Sequence, residues 1–247
     1  MTWEKLNQTW HYVEKWAKAW PNAEALVFGD EKLTWREFTG QMDAVARAYL
    51  EIGIEKGDRV ALLSMARNEF LTTYMAAGKV GAIWLGLSPR YTLDELRYQI
   101  SDCRPKLLIT LREYMGNDLA ETVSTLQKEF SFLKKILVVG DPFEGADGFA
   151  AYVGKPRPDF DAALAQRATE VKDTDDALLL YTTGDTFTSP EDSLRCSKAA
   201  GKTSIRVKWK KSSKRMPPSS LPLSSACRTT SFRKSAGLLS CRRRGRM

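Results

Sequence analysis

Residues 177–184 read Ala-Leu-Leu-Leu-Tyr-Thr-Thr-Gly. A short apolar run ends there in two hydroxyl side chains and a glycine. A buried strand that delivers Thr182, Thr183 and Gly184 to its end is a way to begin a phosphate-binding loop. The hydroxyls donate to anionic oxygens, glycine lets the backbone approach closely, and successive N–H groups form a concave nest. Other chemistry-bearing groups are sparse. His11 is the single histidine, which removes histidine-based triads, and it reads as a surface residue between the apolar positions of a helix. Cys103, Cys196, Cys227 and Cys241 follow no metal-ligand spacing and no disulfide framework. Gly201-Lys202-Thr203 has the end of a nucleotide-binding Gly-x-x-x-x-Gly-Lys-Thr pattern, but Cys196 stands where the first glycine belongs and no strand precedes it. No residue is assigned a catalytic role or a metal.

The elements that would position Thr182–Gly184 alternate between strand and helix. Trp3, Leu6, Trp10, Val13, Trp16 and Trp20 recur at helical spacing over 4–20, a helix whose aromatic face packs onto the body and which stops at Pro21. Strands at 25–28 and 32–34 flank a Gly29-Asp30-Glu31 turn. Thr34 and Glu37 then form a capping box, opening a helix that buries Phe38, Met42, Val45, Ala46, Tyr49 and Leu50 and ends at Gly53. A strand over 59–64, a helix over 69–79 and a strand over 82–87 follow. Thr92 and Glu95 make a second capping box for a helix reaching about Cys103. Pro105 precedes a strand over 106–110, a helix to about Phe130 and a strand over 136–139. Residues 140–161 read as loop, 161–167 as a short helix, and the apolar strand 177–181 closes the series. Arg90, in the loop after the strand at 82–87, reads as an arginine salt-bridged to the body. The pattern predicts an α/β fold, a mostly parallel sheet with helices on both faces, with ligands beyond the carboxyl ends of the strands.

Tyr181-Thr182-Thr183-Gly184 resembles the opening of the signature loop of the adenylate-forming enzymes, the acyl-CoA synthetase family. In that family the tetrapeptide is usually followed by Ser/Thr-Thr-Gly-x-Pro-Lys-Gly. Here Asp185-Thr186-Phe187-Thr188-Ser189-Pro190-Glu191-Asp192 follows, without the second glycine or the lysine. The likeness extends over residues 24–184, through Phe28-Gly29-Asp30, Leu33-Thr34-Trp35, Lys56-Gly57-Asp58-Arg59-Val60-Ala61 and the stretch from Gly78 to Leu96. The resemblance implies ATP, Mg²⁺ and CoA as cofactors and a carboxylic (fatty) acid as substrate. The acid and ATP form an acyl-adenylate with release of pyrophosphate, and many relatives pass the acyl group to the CoA thiol. Thr182, Thr183 and Gly184 would hold phosphate. The family's later motifs, for magnesium, ribose, adenine and a catalytic lysine, have no counterpart in 185–247.

Composition breaks at the same point. Residues 1–184 hold 22 Lys/Arg and 27 Asp/Glu, net −5, and residues 185–247 hold 16 and 3, net +13. Serine rises from 5 in the first segment to 13 in the second, which also carries the basic blocks Lys208–Arg215 and Arg242–Arg246. So charged a segment cannot bury enough apolar surface to offset chain ordering and is expected to be disordered. The organisation is thus a partial N-terminal α/β domain, 1–184, and a basic, Ser-rich tail, 185–247. Three origins compete for the tail: a reading-frame change after Gly184, an evolved tail binding nucleic acid or an anionic membrane through counterion release, and an appendage of a short native protein. The first fits best, because family likeness and foldable composition stop together in mid-loop. The strand at 177–181 would then keep an open apolar edge. With no leader-like start and no run of about 20 apolar residues, the expected setting is cytoplasmic.

Overall fold

The computed structural model describes residues 5–181 and two later strands, Leu194–Ala199 and Lys202–Val207. The chain begins with helix α1 (Thr9–Ala19), the hairpin β1 (Glu24–Phe28) and β2 (Glu31–Thr34), and helix α2 (Trp35–Ile52). There follow β3 (Arg59–Leu63), α3 (Asn68–Val80), β4 (Ile83–Leu87), α4 (Leu93–Cys103) and β5 (Leu107–Leu111). A small hairpin, β6 (Glu113–Tyr114) and β7 (Asn117–Asp118), precedes α5 (Ala120–Glu129) and β8 (Lys135–Val139). After these come β9 (Asp147–Gly148), α6 (Phe149–Val153), a 3-10 turn at Pro158–Phe160, α7 (Asp161–Glu170) and β10 (Leu178–Tyr181).

Six strands run parallel in the order β10-β4-β3-β5-β8-β9. The register follows the alternation of side chains. Val60, Leu62, Trp84, Leu107 and Ile109 face one core with Met42, Tyr49 and Ala77 of α2 and α3. Ala61, Leu63, Leu85 and Leu108 face the other with Leu96, Ile100 and Val123 of α4 and α5. A sheet buried on both faces calls for near-continuous apolar runs, and Val60–Leu63 of β3 and Leu107–Leu111 of β5, interrupted only by Thr110, supply them.

Both expected capping boxes are present. Thr34 Oγ1 accepts from the Glu37 N–H at 3.3 Å while Thr34 N–H donates to Glu37 Oε2 at 2.8 Å. Thr92 and Glu95 repeat the arrangement at the start of α4. Each box satisfies orphan helix donors, an effect of about 1 kcal/mol. Gly53 ends α2 at φ 83°, where a side chain would be strained. On α1, Trp10 and Val13 are buried and Trp16 lies 6.5 Å from the Trp35 ring, so this part of the aromatic face packs on the body as its spacing predicts, whereas Trp20 stacks on Trp16 with ring centroids 4.5 Å apart and stays exposed. Trp3 lies outside the described residues.

Two sequence expectations need correction. The helix ending near Phe130 does not begin straight after β5. Met115 and Gly116, at φ 53° and 82°, make a tight turn that folds 113–118 into a hairpin first. The loop expected over 140–161 holds the short strand β9 and helix α6. Beyond β10 the structure describes β11 (Leu194–Ala199) and β12 (Lys202–Val207), an antiparallel hairpin. β12 pairs antiparallel with β10 through Leu180↔Thr203 and Tyr181↔Lys202, so the edge expected to stay open is partnered there. An edge strand presents unpaired N–H and C=O groups that a neighbouring segment can satisfy, and the net charge of the whole tail does not forbid six residues from pairing locally. The remaining residues of 185–247 lie outside the described residues. Contacts divide the chain into Met1–Lys210 and Lys211–Met247.

Candidate functional site

The carboxyl ends of β10, β4 and β3 lie side by side, because β10 pairs with β4 and β4 with β3, all parallel. The chain leaves β3 for α3, on the core face of α2, and leaves β4 for α4, on the opposite face. In such sheets ligands bind where connections part to opposite faces, beyond the strand ends. Thr182, Thr183 and Gly184, assigned to phosphate from the sequence, lie outside the described residues, as does Asp185. What the structure places is the residue from which they depart.

Tyr181 closes β10, and its phenol turns towards the C-terminal end of α4. Its Oη donates to Asp102 Oδ2 at 2.6 Å and lies 2.8 Å from Cys103 Sγ and 3.4 Å from the Gln99 carbonyl. The single phenolic proton goes to the carboxylate, which leaves the Cys103 thiol to donate to Oη. Tyr98 packs edge-on against the Tyr181 ring at 6.2 Å. Burial, then the Asp102 and Cys103 contacts, pushes the phenol's pKa well above its ordinary value, so it stays a neutral donor. The first residue of the signature tetrapeptide is therefore fastened to a helix end about 80 residues earlier in the chain. No sequence pattern announced this, since Gln99, Asp102 and Cys103 carry no motif.

The other sequence candidates are occupied by structural partners. Arg90, in the loop after β4, donates through Nε to the Tyr114 phenol at 3.0 Å, with its guanidinium 6.0 Å from that ring's centroid. It is tied to the body by a phenol rather than by the expected carboxylate. His11 is half-buried against Trp10, with ring centroids 3.9 Å apart, and not a plain surface residue. Burial lowers its pKa, the nearby Glu14 opposing that and Lys79 adding to it. Among the described residues no group of three or more His, Cys, Asp or Glu could hold a metal ion, and no helix is long and apolar enough to cross a membrane.

Residues 13–186 match the model of the AMP-binding enzyme family. That is more than half of the chain, and the chain belongs to this family. Among similar proteins is the acyl-CoA ligase sidI of Aspergillus fumigatus, 30% identical over 174 residues, which cover 66% of this chain and 29% of that protein. A medium/long-chain-fatty-acid–CoA/3-oxocholest-4-en-26-oate–CoA ligase of Mycobacterium marinum is 30% identical over 172 residues, 67% of this chain and 30% of that protein. The chain thus spans under a third of the length of these curated relatives and corresponds to their N-terminal portion. Two solved structures share the fold. The anthranilate CoA ligase AuaEII in complex with anthranoyl-AMP superposes with a TM-score of 0.63 at 24% identity over 72% of this chain and 32% of that one. The apo structure of MbtA from Mycobacterium smegmatis gives 0.60 at 22% identity over 74% and 32%.

Proposed function

We propose that this chain carries the N-terminal portion of an ATP-dependent acyl-CoA ligase, and that as written it neither binds ATP usefully nor forms an acyl-adenylate. The observation that carries the reading is a coincidence of position. The family match ends at residue 186, within the signature loop, and the composition changes from acidic to strongly basic at the same point. The family activity taken as the starting point is adenylation of a carboxylic, here a fatty, acid with ATP and Mg²⁺, then transfer to CoA, in a cytoplasmic setting.

The donor set tests the fit of the nucleotide. Thr182 and Thr183 hydroxyls and the Gly184 N–H suit phosphate oxygens. Asp185 sets a carboxylate where a donor hydroxyl is expected. Against a phosphate charge about 4 Å away, at an effective dielectric of about 20, the repulsion is of order 4 kcal/mol. One retained charge-assisted hydrogen bond returns about 1.5–3 kcal/mol. Repulsion wins, and no lysine of the loop offsets it. The residues present therefore do not fit ATP, and no chemical step is assigned to them. Tyr181, held by Asp102 and Cys103, serves this site as a positioning residue that fixes where the loop leaves the sheet.

A reading-frame change after the Gly184 codon accounts for the coincidence. Translating the nucleotides that follow codon 184 in the other two frames is expected to restore a Gly-x-Pro-Lys-Gly continuation, and its absence from both would refute the frame change. The excess of 13 positive charges in 185–247 favours a second, non-catalytic reading, nucleic-acid binding through the tail. That reading requires DNA retention that weakens steeply with salt and disappears when 185–247 is removed.

A further inference from the structure

A groove of about 580 Å³ opens between β2, the N-terminal half of α2, the first turns of α3, and α6. Its volume is in the range of small-molecule sites. Val45, Phe149 and Val153 line it with buried apolar surface, and Thr72, 2% exposed, and Asn68, 8% exposed, add buried polar groups. Gly40 sits on its wall in the interior of α2. A Cβ built there would meet nothing within 4 Å. Glycine inside a helix is destabilising relative to alanine, and no described residue packs closely enough on Gly40 to require it. The space above it fits a molecule that approaches the helix backbone.

The charges at the mouth select the kind of molecule. Lys32 is neutralised by Glu24, with Nζ 2.8 Å from Oε1, and Glu69 is paired with the Arg67 guanidinium at 3.3 Å. Glu31 accepts only the Asn68 amide, Nδ2 to Oε2 at 3.2 Å, among the interactions of the described residues. The lining thus carries one carboxylate with no cation against it. We infer that the groove is a binding site for a small organic cation, an ammonium head held by Glu31 on an apolar body that lies over Gly40 and reaches Val45, Phe149 and Val153. This lies on the α2–α3 side of the sheet, away from the Tyr181 phenol, which packs on α4.

Octylammonium, octanoate and octanol, titrated into the full chain and followed by amide chemical shifts, test the assignment. Octylammonium is expected to bind with a Kd of about 0.1–1 mM, as its few heavy atoms allow, and octanoate about tenfold more weakly or worse. Glu31→Gln, an exposed and isosteric change, should bring octylammonium down to the affinity of octanol. Gly40→Leu fills the groove with a better helix former, so it should raise the Tm and weaken octylammonium about tenfold. Octanoate binding as well as octylammonium, octylammonium indifferent to both variants, or no saturation up to about 10 mM would each overturn the assignment.

Discussion

Arg157→Ala lowers the stability of the chain by about 3 kcal/mol, towards the lower end of what stripping one partner from a buried ion pair costs. The Arg157 side chain is 3% exposed, and all five of its N–H donors are used. Nε and Nη2 donate to Glu51 Oε2 at 3.0 and 2.8 Å. Nη1 donates to the carbonyls of Val153 and Lys155, and Nη2 to that of Tyr152. The guanidinium thereby ties the turn after α6 to α2. Truncation strands three carbonyls as well as Glu51, which, 40% exposed, rehydrates in part and keeps the loss at the lower end. Arg157→Lys recovers little, since one ammonium cannot reach four acceptors in the fork geometry. There is a pH signature. Hydrogen bonds from Tyr152 and then Arg157 hold the Glu51 carboxyl below its ordinary pKa, while burial and Glu51 push Tyr152 up to about 12. A depressed carboxyl contributes stability above its unfolded value, about 4.3, and that contribution is lost as pH falls through the folded value. Urea midpoints measured from pH 7 down to pH 3 should therefore fall less steeply for Arg157→Ala than for the parent.

Lys79→Ala costs a comparable amount, about 3 kcal/mol, and for a related reason. Lys79, 7% exposed, donates to Glu14 Oε1 and to Asp43 Oδ1, each at 2.7 Å, and lies 5.3 Å from the Trp10 ring centroid. This triad joins α1, α2 and α3. Removing the ammonium leaves two carboxylates facing each other in a half-buried gap. Removing the whole charge set should be far milder, because replacing buried ion pairs by uncharged groups of similar volume is often neutral. The triple variant Lys79→Met, Glu14→Gln, Asp43→Asn is expected to regain most of the urea midpoint that Lys79→Ala loses. If the triple variant is as unstable as the single one, the loss comes from packing rather than from the stranded carboxylates.

Much of this architecture is legible because it rests on local signals. The two Thr-x-x-Glu boxes place the starts of α2 and α4 to the residue, and the apolar runs of β3, β4, β5 and β8 carry the parallel sheet. What was not legible depends on partners distant in sequence or on turns too small to leave a period. The β6–β7 hairpin rests on backbone torsions at Met115 and Gly116 inside a stretch that reads as helix. The five residues of α6 carry no side-chain cap and fell within a predicted loop. Arg157, an unremarkable residue between two prolines, becomes a buried junction only once Glu51, 106 residues away, is beside it. The candidate site divides in the same way. Thr182, Thr183 and Gly184 were chosen by residue type and spacing, whereas the anchoring of Tyr181 by Asp102 and Cys103 exists only in the fold. The strand pairing of Lys202–Val207 with β10 was missed because composition, averaged over 63 residues, hides a six-residue segment with alternating Thr203, Ile205 and Val207.

A calorimetric titration of the purified full chain with ATP and Mg²⁺ tests most directly whether the nucleotide cradle is left incomplete after Gly184. No saturable binding below about 1 mM ATP is the predicted result. Saturation at micromolar ATP, with release of pyrophosphate on adding a fatty acid, would contradict it.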